Sequence, residues 1–155
     1  MPRGAPLTAR VLVLLAGALL AGCASAPPAA VRPPSPADGR CGALTRALPD
    51  TLDGRDRRDV TPVSPATAAW GQPPVRLRCG VSRPAGLTPT AELIVINGIE
   101  WQLRETTRAY VFTTAHRAPR VQVSVPGSTP REQATGPLVD LTGPLRAATR
   151  PARDL

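Results

Sequence analysis

One apolar run stands out along the chain, Val11 to Ala21. It is far shorter than the roughly 20 residues a bilayer-spanning helix needs. Elsewhere the hydrophobic positions are sparse and periodic. From Val75 the period is two: Val75, Leu77, Cys79 and Val81 alternate with Arg76, Arg78 and Gly80, as in a strand with one buried face. Ile94-Val95-Ile96-Asn97-Gly98-Ile99-Glu100-Trp101 predicts a hairpin. Asn-Gly between two apolar alternations demands a type I′ turn, since both central residues need positive φ. Ile96 then pairs with Ile99, and Ile94 with Trp101. Tyr110–Thr114 and Arg120–Val125 predict two further strands, joined by a loop holding His116 and Pro119. In the second of these, Val121, Val123 and Val125 point one way and Gln122 and Ser124 the other.

Helical spacing appears at the two ends of this region. Asp38 is a candidate N-cap for a short helix over Gly39–Leu48, with Cys41, Leu44 and Leu48 on one face. Ser64-Pro65 predicts a second helical turn closed by Gly71. Thr129-Pro130-Arg131-Glu132 has the capping-box pattern. Leu138, Leu141 and Leu145 then follow at helical spacing, segmented by Pro137 and Pro144. Asp50 to Asp59 interleaves four acids with Arg55, Arg57 and Arg58 and reads as a solvated, self-neutralising loop. A calcium loop wants ligands at alternate positions and a closing Glu.

The N-terminus carries the most specific signal. Met1 to Arg10 holds two Arg and no acid, and with the short apolar run it forms a signal-peptide pattern. The run ends in Leu20-Ala21-Gly22-Cys23, a lipobox. Small residues at Ala21 and Gly22 admit an extended backbone to a narrow peptidase groove. The Cys23 thiol takes a diacylglyceryl group, and two acyl chains anchor stably where one binds marginally. Cleavage removes residues 1–22. The expected place is the outer face of the cell membrane, with Cys23 as lipid anchor. Ala24 to Arg40 has five prolines and Val31 as its one bulky apolar residue. It is expected to be an extended tether, part of a 23–40 linker, at ~3.1 Å per residue reaching roughly 50 Å.

Cysteine and charge narrow the class. An exported domain is oxidised, and two thiols remain, so a Cys41–Cys79 disulfide is the economical reading. It would close a loop containing 37 residues and stabilise by ~4 kcal/mol on the chain-entropy model. Two buried free thiols or a metal pair are the alternatives, and with His116 the sole histidine a zinc site lacks ligands. All 19 basic side chains are Arg. Removal of Arg3 and Arg10 leaves 17 against 11 acids, a formal +6. That charge favours anionic lipid or cell-wall polymer at long range. The exported compartment and the four aromatic residues argue against nucleic acid.

Two blocks resemble a known family. Ala69-Trp70-Gly71-Gln72-Pro73-Pro74, running into Leu77-Arg78-Cys79-Gly80-Val81, is similar to the actinobacterial lipoproteins termed domain of unknown function 3515. So are Asn97-Gly98-Ile99-Glu100-Trp101 and the Thr113–Arg117 segment. The resemblance covers most of 41–145 and implies an exported, membrane-anchored domain. It transfers no catalytic residue.

Catalytic patterns are sparse. His116 lies in a loop beside Arg117, no Gly-x-Ser-x-Gly elbow occurs, and no phosphate-cradling glycine loop is present. No metal or cofactor is expected. The one constellation that suggests a ligand is Trp70, Arg76, Arg78 and Trp101: forked donors beside flat indoles. The competing reading makes both Trp core and both Arg solvated surface.

The expected architecture is a small α+β domain over residues 41–148, with a frayed tail at 149–155. Its sheet is mostly antiparallel, of four or five strands, with an N-terminal and a C-terminal helix and one disulfide. The expected role is a non-catalytic binding or accessory module of the cell envelope, contacting lipid, wall polymer or an envelope protein. The alternative is an envelope enzyme with an unrecognised carboxylate-based site.

Overall fold

The computed structural model describes residues 26–152. The signal-peptide pattern and Cys23 lie outside them. In chain order the elements are β1 (Ala29–Ala30), α1 (Cys41–Ala47), β2 (Thr51–Leu52), β3 (Arg55–Arg58), β4 (Val60–Thr61), β5 (Thr67–Trp70), β6 (Val75–Cys79) and β7 (Ile94–Ile96). Then come β8 (Ile99–Glu105), β9 (Ala109–Thr114), β10 (Arg117–Ala118), β11 (Val121–Pro126), α2 (Gly136–Asp140), α3 (Thr142–Ala148) and β12 (Arg150–Pro151).

The expected α+β fold with four or five strands is corrected: the protein is mostly β. Eight strands form one antiparallel sheet in the order β2-β3-β5-β6-β11-β9-β8-β7. The three helices have only seven, five and seven residues. The additional strands are β2, β3 and β5, and each escaped the period-two pattern for its own reason. Leu52-Asp53-Gly54-Arg55 is a second tight hairpin turn, with φ of 49° at Asp53 and 72° at Gly54. It sits in the acidic and basic stretch expected to be a loop. In β5 all four residues are buried, because both faces of the strand are covered. A strand buried on both sides shows no alternation, so Thr67–Trp70 imitated the helical turn expected after Ser64-Pro65.

The alternating strands fold as their spacing predicts. In β6, Val75, Leu77 and Cys79 are buried and Arg76 and Arg78 half-buried. In β11, Val121, Val123 and Val125 are buried. Asn97 and Gly98 take φ of 47° and 75°, and Ile96 faces Ile99 while Ile94 faces Trp101. These residues line the inner face of the sheet. Against it pack Leu44 and Leu48 of the α1 segment and Leu138, Leu141 and Leu145 of the C-terminal helices. The helix expected at Gly39 begins at Cys41, and Asp38 does not cap it through its side chain. Nor does the capping-box pattern form a cap: Arg131–Gln133 is one 3-10 turn without a side-chain cap.

Both expected borders of the domain move outward. The frayed tail is corrected for residues 149–152: Thr149 is buried, and β12 pairs with β10, Arg117 against Pro151 and Ala118 against Arg150. The free tether is likewise corrected for the residues described. β1 pairs in parallel with β4, and Ala29 and Val31 are buried with Ala69 on the outer face of the sheet. A proline-rich segment cannot build a core of its own. Here it adds the side chains of Ala29 and Val31 to an existing sheet and presents its carbonyls to arginines of that sheet.

Candidate functional site

Trp70 and Trp101 are fully buried on the inner face. The Trp70 indole N–H donates to the Pro49 carbonyl at 3.0 Å, and the Arg57 guanidinium lies over its ring, 5.8 Å from the centroid. Trp101 Nε1 is buried with no partner among the described residues. Arg76 and Arg78 project from the opposite face. The four residues expected to share a site are therefore divided by the sheet, and both indoles belong to the core. Cys23, the expected anchor, lies outside the described residues.

The two arginines are engaged with the N-terminal segment. Arg76 Nε donates to the Ala30 carbonyl at 3.2 Å, and Arg78 Nε donates to the Arg32 carbonyl at 2.9 Å. The two-residue step along β6 matches the two-residue step along the segment, so an extended chain lies along the strand as a strap. Arg78 continues sideways: its Nη1 donates to Gln122 Oε1 at 3.2 Å, and Gln122 Nε2 donates to Thr113 Oγ1 at 3.4 Å. Arg78, Gln122 and Thr113 are register neighbours on β6, β11 and β9.

Beyond this ladder a groove of about 600 Å³ opens between the strap and the loop after β6. Arg78 and Gln122 line it together with Pro34, Ser35, Pro36 and Pro84. Arg78 Nη2 has no hydrogen-bond partner among the described residues, and no acid pairs with this guanidinium there. The acid at the groove, Asp38, is committed elsewhere. It accepts from Arg40 Nη2 at 2.8 Å and from the Arg40 backbone N–H at 2.9 Å. The Arg40 side-chain bonds, followed by that backbone bond, hold the Asp38 carboxyl below its ordinary range. The groove thus has one uncompensated cation with a free donor, flanked by an amide, a serine hydroxyl and flat proline faces.

Three consecutive residues of β6 and its turn build this corner. Arg78 lines the groove, and Cys79 is bonded to Cys41 at the start of α1, with Cα atoms 5.6 Å apart. Gly80 has φ of 82°, and a Cβ there would lie 3.0 Å from Asp38 Cβ and 3.4 Å from Cys41 Sγ. Only glycine lets the chain turn and pass so close to the α1 start. A family model described as "Protein of unknown function (DUF3515)" matches residues 5–153. The chain belongs to this family. The resemblance carried by the Trp-Gly-x-Pro-Pro and Arg-Cys-Gly blocks is therefore correct, and in this DUF3515 protein the second block forms the groove corner. No curated protein and no solved structure matches the chain.

His116 stands in the β9–β10 connection, where a loop was expected, but it is not isolated. Its Nδ1 lies 2.5 Å from Glu100 Oε2 on β8. Arg117 Nε donates to Thr149 Oγ1 and its Nη2 to the Thr149 carbonyl at 2.8 Å, and burial lowers its pKa. This cluster ties β10 to the C-terminal segment. Among the described residues no group of three metal-ligating side chains occurs, and no helix is long and apolar enough to cross a membrane.

Sequence reasoning singled out Arg78 and missed its partners. Gln122 was legible as a polar outer-face position of β11, but its register with Arg78 joins residues 44 apart. Pro34, Ser35 and Pro36 carried only the signal of a linker.

Proposed function

We propose that this protein is a lipoprotein held at the outer face of the cell membrane through diacylglyceryl-Cys23. Its domain serves as a non-catalytic binding module of the cell envelope. The observation that carries the binding role is Arg78: a guanidinium at the groove, oriented by two hydrogen bonds and unpaired with any described acid. A fixed guanidinium with a free donor suits a carboxylate or phosphate oxygen, because charge-assisted hydrogen bonds are roughly twice as strong as neutral ones. The Gln122 amide and Ser35 hydroxyl add polar specificity beside apolar proline walls. The ligand class is accordingly an anionic group on an envelope polymer. Anchoring rests on the lipobox and the short apolar run before it.

Nuclear magnetic resonance of the domain titrated with anionic cell-wall fragments tests the binding role. Shifts should concentrate on the Arg78 guanidinium and the Gln122 amide, and Gln122→Ala should weaken binding several-fold while leaving both strap bonds in place. Shifts confined to other faces, or none, would overturn it. Fractionation of Cys23→Ala with acyl labelling tests the anchor, and wild-type labelling and retention would end that part.

A further inference from the structure

The strap changes what a lipid anchor at Cys23 would do to the domain. Ala26 already lines a groove of about 900 Å³ at the β3 side of the sheet, together with Gly54, Arg55, Asp56, Arg58, Asp59 and Gln72. Ala29 N–H donates to the Asp59 carbonyl at 2.8 Å, and the Pro27 carbonyl accepts from Arg58 Nη2. The chain is therefore attached to the body of the protein from Pro27 onward. Three residue steps lead from Cys23 to Ala26, and a fully extended chain spans at most about 3.6 Å per step. The groove at Ala26 must then lie within about 11 Å of the lipidated residue. A stand-off of about 50 Å, as a free linker would give, is not available.

We propose that the β3 end of the sheet, with this groove, is seated on the bilayer surface, and that β7 at the opposite edge is held away from it. The inference rests on lipidation of Cys23. The occupant of the surface is the phospholipid headgroup layer. Arg55 and Arg58 are half-buried at the rim, and the short Ala24–Ala26 connection would bring them to the depth of the lipid phosphates, whereas Arg57 is turned inward onto the Leu48 and Thr45 carbonyls. Asp56 and Asp59 offset part of that charge. The covalent connection therefore sets the orientation, with electrostatics as the smaller contribution. β3 and β7 are six strand steps apart in the sheet, about 29 Å at ~4.8 Å per step. Val95, 63% exposed on β7, marks the distal edge. The Arg78 groove lies between the two edges, on the face crossed by the strap, where wall polymers can reach it while the anchor stays inserted.

The test uses the full chain, lipidated in cells, purified and reconstituted into vesicles of phosphatidylcholine with a minor share of phosphatidylglycerol. Single-site variants Asp56→Cys and Val95→Cys are labelled with one fluorophore, after mass mapping confirms the Cys41–Cys79 bond. A headgroup-bound nitroxide should quench the label at position 56 several-fold more than that at position 95. A flexible Gly/Ser insertion directly after Cys23 should abolish the difference without releasing the protein from vesicles. Equal quenching at both positions, or none at either while the protein floats with the vesicles, would overturn the seated orientation. An unacylated chain that fails to float would instead remove the anchoring reading, and the orientation with it.

Discussion

Trp70 and Arg76 lie on neighbouring strands yet face opposite sides of the sheet. Trp70 is in register with Val75, so the next residue along β6, Arg76, points away from the indole. One face of this strand pair is core, and the other is the bed of the N-terminal strap. The relationship removes the indole–guanidinium site and gives the two arginines a different task, holding residues 30 and 32.

Replacing both Arg76 and Arg78 by Ala is therefore expected to free the strap. Each lost bond joins a charged donor to a backbone carbonyl, worth roughly 1.5–3 kcal/mol. Amide hydrogen exchange should rise at Ala29 and Val31, whose N–H groups bond to the β4 side of the strap, while β8 and β9 stay protected. Unchanged exchange there would show that the two arginines do not hold it.

Trp101 is expected to behave as core. Trp101→Ala should cost roughly 3–5 kcal/mol in urea unfolding, because the side chain is fully buried. A loss below about 1 kcal/mol would place the indole at a surface instead.

Removal of the disulfide should be comparably severe. Cys41→Ser combined with Cys79→Ser frees a loop of sequence separation 38 and is expected to lower stability by ~4 kcal/mol. The groove corner should loosen with it, read as increased exchange at Gly80 and Val81, whose N–H groups donate to the Arg120 carbonyl.

Asp38 gives a pH dependence of defined sign. Its pKa in the folded protein lies below the ordinary 3.8 because Arg40 bonds to its charged form. Its contribution is therefore present above pH ~4 and is lost as pH falls through the lower folded value. Asp38→Asn should lower Tm at pH 7, and the gap to wild type should close in strong acid. A gap independent of pH would show that the carboxylate charge is not the source.

What the sequence alone determined were features encoded locally. The buried faces of β6 and β11 follow from period-two alternation, since strand side chains alternate by geometry. The hairpin at Asn97-Gly98 follows from the need for positive φ at both turn residues. The Cys41–Cys79 pair follows from counting the two thiols that remain after Cys23. Tertiary structure decided everything that depends on what covers a surface. Thr67–Trp70 is a strand because the strap buries one of its faces and the helices the other, and burial on both sides erases alternation. Ala29 to Arg32 is part of the domain because Arg76 and Arg78 supply donors that a linker composition cannot announce. Arg78 and Gln122 meet only because β6 and β11 are adjacent in the sheet, although they stand 44 positions apart in sequence. A local pattern reports which way a side chain points; only the assembled sheet decides which residue it meets.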